Sequence, residues 1–223
     1  MFRGLTDIPL QVPGKIVAVP ADKSIEFMLL LVFCSMEKAL LRTEYKQKRN
    51  ALSSGQQLRN DDLLLLQFQQ LDFSGVNTMM TYWPLTNQAE PNTHLFSGYL
   101  RHMIPGLSIS YPKLNGVNSM DAILIDEETV YQTGNWGITE PGSGPVIAPI
   151  EIDLILVPLL VFDEQGYRVG YGKGYYDRFL SNCREDAILV GLSYFDPVAL
   201  ITDTDEFDIP LTFGITPQHI YEF

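Results

Sequence analysis

The chain has 223 residues, of which 46% are hydrophobic and 11% aromatic, enough to fill the core of one large domain and too many for a disordered chain. Its formal net charge of −12 argues against a general nucleic-acid binder, because the field of the protein would repel a phosphate backbone. A small anionic ligand is still compatible, since salt screens charges over about 8 Å and such a ligand responds to a local cationic pocket.

The cysteines and the longest apolar run indicate in which cellular compartment the protein is expected. Cys34 and Cys183 stand outside any CxxC or Cys/His cluster, which argues against a zinc site and a disulfide framework. Free thiols are typical of a reducing compartment, so we expect a cytoplasmic protein. The apolar core at 27–34 is far shorter than the roughly 20 residues that a helix needs to span a bilayer, so we expect no membrane association.

Residues 1–35 differ from the rest of the chain. Proline and glycine break up any periodic pattern there, and no helix or strand template fits well. We therefore expect an N-terminal extension with little structure, followed by a catalytic domain over 36–223. Met36 stands directly before the first convincing helix, and one hypothesis is that natural translation starts there.

Helical and strand patterns alternate through the remaining chain. Apolar residues at helical spacing predict helices at 37–52, 56–71, 94–103 and 176–180. Short apolar runs predict strands at 76–83, 107–111, 122–125, 152–157 and 187–193. We expect Pro112 to stop the second strand, and the stretch 134–149, dense in glycine and proline, to be a long loop near the site. This alternation predicts an α/β domain with a mainly parallel sheet flanked by helices.

The first predicted helix carries basic residues on one face. Lys38, Arg42 and Arg49 stand at i, i+4 and i+11, close together on a helix with 3.6 residues per turn. Three cations on one face repel each other unless something negative lies opposite. On spacing alone, a solvated basic face is somewhat favoured over an anion site.

A glycine-rich segment follows the predicted strand at 152–157. Glycines stand at alternate positions, at Gly170, Gly172 and Gly174. Without side chains there, backbone N–H groups can point at an anion, and Lys173 and Arg168 add a mobile and a fixed cation. The segment has neither the GxxxxGK order of a Walker A loop nor the GxGxxG dinucleotide fingerprint. A tight structural turn competes as an explanation, but the flanking charges favour phosphate binding.

Asp177 follows the glycines directly. A carboxylate beside a phosphate site repels the ligand unless a Mg²⁺ ion bridges the two. It can equally be a carboxylate at a helix start, paired with Arg178 or Arg168, and the residues alone leave both interpretations open.

These residues form a recognisable pattern over about 37–217. The string from Val157 through Asp163, Gly166, Arg168 and the glycines to Arg178 resembles the signature of the 5-formyltetrahydrofolate cyclo-ligase family. The opening helix, the 82–93 loop with Glu90, the turn 137–141 and the segment 206–211 also resemble segments of that family, in the same order.

The resemblance implies an enzyme that converts 5-formyltetrahydrofolate and ATP, with Mg²⁺, into 5,10-methenyltetrahydrofolate, ADP and phosphate. It implies a single domain similar to sugar-phosphate isomerase and CoA-transferase folds, and we expect a monomer. The ATP-binding residues that it implies are Lys38, Arg42, Arg168, Gly170, Tyr171, Gly172, Lys173, Gly174, Tyr175 and Tyr176. On the folate side it implies Leu85, Glu90, Tyr171, Gly172, Lys173, Gly174 and Tyr175. Asp177 and Asp208 would hold the metal, and Lys173, Arg168 and Tyr175 would act in catalysis.

Two other functions share these features. One is a sugar-phosphate isomerase-like enzyme, in which the glycine loop holds a sugar phosphate. The other is a non-catalytic nucleotide-binding module that keeps the pocket without turnover. An isomerase has no need of a nucleotide-sized cationic site on a distant helix, and every polar position expected for the cyclo-ligase is filled, so the cyclo-ligase is favoured.

Overall fold

The structure is a computed structural model that describes residues 8–12, 15–19, 35–116, 118–134 and 137–223. Among these residues, none of the helices has both the length and the apolar character needed to cross a membrane. The apolar run at 27–34, Cys34 and Trp136 lie outside the described residues.

The helices lie close to the predicted positions. They are α1 (Lys38–Asn50), α2 (Ser54–Phe68), α3 (Thr93–Met103) and α4 (Tyr175–Leu180). The second helix begins earlier than predicted because Ser53 and Gln56 form a reciprocal capping box at its first turn.

The strands are more numerous than predicted; β4, β10 and β13 are shorter than the predicted runs, whereas β5 and β6 are longer. They are β1 (Ile8–Val12), β2 (Lys15–Val19), β3 (Ser35–Met36), β4 (Thr78–Met80), β5 (Ser108–Asn115), β6 (Ser119–Leu124), β7 (Tyr131–Thr133), β8 (Thr139–Pro141), β9 (Val146–Ile147), β10 (Leu154–Val157), β11 (Val161–Phe162), β12 (Arg168–Val169), β13 (Ile188–Leu192), β14 (Leu200–Ile201), β15 (Phe213–Ile215) and β16 (Ile220–Glu222).

An eight-stranded sheet organises the domain, in the order β16-β15-β13-β10-β4-β5-β6-β9. Neighbours from β15 through β5 run parallel, while β16, β6 and β9 pair antiparallel at the two sides. The predicted α/β domain with a mainly parallel sheet is therefore confirmed.

The central strand β10 is buried on both faces, as expected for a parallel strand between helical layers. Leu154 and Leu156 pack into a cluster that also contains residues of α2 and α3. Ile155 and Val157 point to the opposite face and pack with Phe179 and other residues of a second cluster. A third cluster joins α1 to the hairpin of β11 and β12, and it places the first helix beside the glycine-rich segment.

Two loop predictions were wrong. Strand β5 does not stop at Pro112, which pairs with Ala122 of β6. Strand β4 pairs with β5 only as far as Ser110, so among the described strands β6 is the one that pairs with Pro112. The backbone N–H that proline lacks is not needed on the unpaired side. The stretch 134–149 is not a continuous loop either, because it contains β8 and β9.

Short strands also occur near the N-terminus. Residues 8–12 and 15–19 pair antiparallel, although no strand pattern was evident there, and β3 pairs parallel with β14. The rest of 1–34 lies outside the described residues, so the domain boundary at residue 35 stays a prediction.

Candidate active site

The site lies at the carboxyl ends of two neighbouring parallel strands. Strand β10 pairs with β4 through Leu154–Met79 and Ile155–Met80. The chain leaving β4 carries Leu85 and Glu90, and the chain leaving β10 leads to the glycine-rich segment. Because adjacent parallel strands end at the same edge of a sheet, topology brings these two distant segments together.

Helix α1 lies directly against the glycine-rich segment. The Nε of Arg42 donates a hydrogen bond of 2.9 Å to the carbonyl oxygen of Gly170. A Cβ atom at Gly172 would lie 3.1 Å from the guanidinium carbon of Arg42. Arg49, further along the same helix, is only 1% exposed. The favoured interpretation of this face as solvated was therefore wrong, because the helix packs its cations against the rest of the site.

The glycines of this segment have a conformational role. Gly172 and Gly174 have φ angles of +84° and +66°, in the left-handed region that residues with a Cβ rarely adopt. Arg178 closes the segment from the other side, since its Nη2 donates 2.9 Å to the carbonyl oxygen of Lys173. The same guanidinium lies 5.4 Å from the centre of the Tyr175 ring.

A buried hydrogen-bonded group surrounds Glu90, which is 9% exposed. The hydroxyl of Tyr171 donates to Oε1 of Glu90, and the backbone N–H of Leu85 donates 2.7 Å to Oε2. Arg49 donates 3.1 Å from Nη1 to the Tyr171 hydroxyl. Burial raises the pKa of Glu90 above its usual value, and the Leu85 and Tyr171 hydrogen bonds and the Arg49 charge oppose that rise.

The hydroxyl of Tyr176 is a buried polar group without a hydrogen-bond partner among the described residues. Burial raises the pKa of Tyr176, and the charge of Glu90 adds to the rise. A buried hydroxyl without a partner is costly, so a water molecule or a polar atom of a ligand is its natural partner.

Arg168 points into the protein and away from solvent, with a side chain only 5% exposed. Its Nη2 donates 2.6 Å to Oδ1 of Asp177, and its Nη1 donates to the carbonyl oxygen of Ile209. Burial lowers the pKa of Arg168, and the charge of Asp177 opposes that effect. The pairing of Asp177 with Arg168 is therefore observed, and its role at a Mg²⁺ ion stays a prediction.

The two carboxylates expected at a metal are both ion-paired. Asp208 forms an ion pair with the ammonium of Lys38, and Asp203 accepts a hydrogen bond of 2.7 Å from the Lys38 backbone N–H. Among the described residues, no three His, Cys, Asp or Glu side chains come together as a metal cage. The donor set still fits Mg²⁺, because this ion keeps several waters and is held by one or two carboxylates together with substrate phosphates.

Comparison with known families decides the affiliation. Residues 34–212 match the model of the 5-formyltetrahydrofolate cyclo-ligase family. The chain belongs to this family. A 5-formyltetrahydrofolate cyclo-ligase of Mycoplasma pneumoniae is 30% identical over 162 residues, which cover 71% of this chain and 86% of that protein. The mouse enzyme of the same name is 28% identical over 149 residues, covering 64% and 73% of the two chains.

Solved structures agree with this affiliation. The NMR structure of Aquifex aeolicus 5,10-methenyltetrahydrofolate synthetase superposes on this chain with a TM-score of 0.69 and 28% identity, over 84% of this chain and 93% of that one. A 5,10-methenyltetrahydrofolate synthetase from Mycoplasma pneumoniae gives a TM-score of 0.61 at 28% identity, over 81% and 98%. The chain therefore matches this family in fold as well as in sequence.

Several of the residues expected in the site are joined in pairs or small groups by direct contacts. Arg42 touches the glycine-rich segment, Leu85 and Glu90 connect to Tyr171, and Arg168 connects to Asp177. Sequence reasoning assigned no site role to Arg49 or Arg178. Their only signal was position, Arg49 on the cationic face of α1 and Arg178 directly after Asp177.

Proposed function

We propose that the protein converts 5-formyltetrahydrofolate to 5,10-methenyltetrahydrofolate, with cleavage of ATP to ADP and phosphate. The family affiliation supports this reaction. The observation that carries the proposal is the contact of Arg42 with Gly170, because it joins the cationic face of α1 to the glycine-rich segment in one place. A triphosphate needs cations from more than one direction, and these two elements provide them.

The chemistry explains why cations and backbone donors suffice. A formamide is a poor electrophile because its nitrogen donates electrons into the carbonyl. Transfer of the terminal phosphoryl group of ATP to the formyl oxygen releases ADP and turns that oxygen into a leaving group. N10 then attacks the formyl carbon and loses its proton, and phosphate departs. Phosphoryl transfer depends mainly on positioning and charge neutralisation, so no protein nucleophile is required.

The ATP side is built from α1 and the glycine-rich segment. Lys38 and Arg42 lie one turn apart on the helix, Arg42 contacts Gly170, and in this proposal the backbone N–H groups of Gly170 to Tyr176 bind the phosphates. Lys173 is exposed at the centre of this segment, where its ammonium can follow the transferred phosphoryl group. In this assignment Lys173 stabilises the charge that develops during transfer.

The folate side is built around Glu90. Both carboxylate oxygens accept hydrogen bonds from the protein, from Tyr171 and from Leu85, which fixes the plane of the group. A carboxylate held in this way can accept further hydrogen bonds from the N–H groups of a pterin. The Tyr176 hydroxyl, buried with no partner among the described residues, supports a polar ligand atom nearby. Tyr175, beside Arg178, offers a flat surface for stacking.

Asp177 and Asp208 are the proposed carboxylates for Mg²⁺. When bound with ATP, the ion would neutralise phosphate charge and hold the triphosphate in place. Arg168 acts here by positioning Asp177, with which it forms an ion pair; Arg168 is buried, and Asp177 is 28% exposed.

One absorbance assay tests the reaction. The protein is mixed with 5-formyltetrahydrofolate and Mg-ATP, and the methenyl absorbance is followed with ATP, without nucleotide and with a hydrolysis-resistant analogue. We expect absorbance only with ATP, and one ADP and one phosphate for each methenyl product. Tight ATP binding without product would identify a non-catalytic nucleotide-binding module. Turnover of a sugar phosphate without nucleotide would identify an isomerase-like enzyme.

We further propose a monomer in the cytoplasm. Cys183 carries a free thiol, as a reducing compartment allows. Light scattering across a hundredfold concentration range, with and without reductant, tests the monomer.

A further inference from the structure

Arg49 is a buried cation near the folate side with no role in the reaction described so far. It is the last-turn arginine of α1 and is 1% exposed. Its Nη2 donates to the carbonyl oxygen of Leu159, and its Nη1 donates 3.1 Å to the Tyr171 hydroxyl. A buried guanidinium is costly unless it is hydrogen-bonded and near a negative charge, so its surroundings need an explanation.

The nearby negative charge is Glu90, which Arg49 reaches through Tyr171. The Tyr171 hydroxyl lies between the two groups, next to Nη1 of Arg49 on one side and Oε1 of Glu90 on the other. The charge of Arg49 also lowers the pKa of Glu90 against the effect of burial.

Donor and acceptor chemistry fixes the direction of these hydrogen bonds. A guanidinium has donors only, so the Tyr171 oxygen must accept from Arg49. Its single proton must then point at Glu90, which accepts it. Because the Leu85 N–H donates to the other carboxylate oxygen, Glu90 receives hydrogen bonds from the protein on both oxygens. Glu90 is therefore held as an acceptor, which is the form that binds the N–H groups of a ligand.

We propose that Arg49 is a positioning residue for the folate side, which orients the Tyr171 proton towards Glu90 and so fixes the carboxylate that receives the pterin. This inference rests on the proposed function, in which Glu90 contacts folate. In this proposal the two ends of α1 have different roles. Lys38 and Arg42 in its first half bind ATP, and Arg49 in its last turn positions residues of the folate side.

The test is a double-mutant cycle of Arg49→Lys and Tyr171→Phe. A lysine keeps the charge but lacks the fork that reaches Leu159 and Tyr171 together. We expect Arg49→Lys to raise the KM for 5-formyltetrahydrofolate about tenfold, as for a lost hydrogen bond in a charged network, and to leave the KM for ATP within about twofold. Tyr171→Phe should do the same, and the double variant should be no worse than Tyr171→Phe alone, because Arg49 acts through that hydroxyl.

Controls separate this role from a structural one. Lys48→Ala removes the neighbouring, exposed cation of the same helix and should leave both KM values unchanged. If Arg49→Lys does not fold, Arg49→Gln, which is neutral, shorter and still able to donate a hydrogen bond, replaces it with the same expectation.

Two outcomes overturn the inference. In one, the KM values for folate and ATP change in parallel with a lowered melting temperature. In the other, the effects of Arg49 and Tyr171 multiply in the double variant. Absence of methenyl formation by the wild-type protein would instead refute the proposed function, so the two failures are distinguishable.

Discussion

Lys38 and Asp208 form an ion pair across 170 positions of the chain, and both side chains are 17% exposed. The pair joins a cation expected at ATP to a carboxylate expected at the metal. In the structure each group neutralises the charge of the other, so under the proposed function the pair would have to separate when ATP and Mg²⁺ bind. The contact also ties the start of α1 to the 203–208 loop, together with the Asp203 hydrogen bond to the Lys38 N–H.

Asp208→Asn tests the carboxylate of this pair. We expect the Mg²⁺ concentration for half-maximal rate to rise at least about tenfold, because one of the two proposed oxygen ligands loses its charge. Magnesium titrations at fixed ATP measure this change. Glu206→Gln, in the same loop and exposed, is the matched control, and an equal shift in both variants would argue against a direct role for Asp208.

Arg42→Ala tests the helix contact with the glycine-rich segment. We expect the KM for ATP to rise about tenfold or more and the KM for folate to change little, because the hydrogen bond to Gly170 lies on the ATP side. Steady-state kinetics with each substrate varied in turn measure both values. Arg59→Ala, an exposed arginine of α2, should behave as wild type, whereas equal effects of Arg42→Ala on both substrates would refute the assignment.

Gly172→Ala tests the close approach of Arg42. Gly172 has a φ of +84°, and a Cβ there would meet the Arg42 guanidinium. Gly75 has a φ of +85° with nothing within 4 Å of the added atom, so Gly75→Ala carries the backbone strain alone. We expect both variants to lose about 1–2 kcal/mol in urea unfolding and only Gly172→Ala to bind ATP more weakly. Unchanged ATP affinity in Gly172→Ala would contradict the proposed site.

Lys173→Ala tests the cation at the centre of the segment. We expect turnover to fall at least about tenfold, which corresponds to roughly 1.4 kcal/mol of transition-state stabilisation. Saturating single-turnover rates separate this effect from weaker binding. Turnover like that of the wild type would remove Lys173 from the mechanism.

Cys183 supplies a test of burial that is independent of activity. Burial raises the pKa of its thiol from 9.0 to about 11. The thiol ionises more easily in the unfolded chain, so the free energy of unfolding should decrease as pH rises above 9.0. We expect alkylation of Cys183 at pH 8.5 to be much slower in the native protein than in urea, measured by peptide mass spectrometry. Equal rates in both states would contradict the buried environment.

The spacing of apolar residues along the chain was sufficient to predict several helices and strands. The strand at 154–157 and the helices α1 and α3 were recognisable because apolar spacing along the chain matches burial in the fold. The prediction that β5 ends at Pro112 was wrong. A strand tolerates a proline where only one side of it is paired with another strand, and the spacing of apolar residues does not show how many sides are paired.

The sequence by itself determined the family, the α/β class and the glycine-rich segment with its flanking charges, because these depend on residue type and order. Only the tertiary structure decided which charges meet. Arg49 is buried against Tyr171, Arg168 is turned to Asp177, and Lys38 is paired with Asp208. The physical reason is that a charge is stabilised by whatever lies beside it in space, and the partners of these residues are set by sheet order and by the packing of α1.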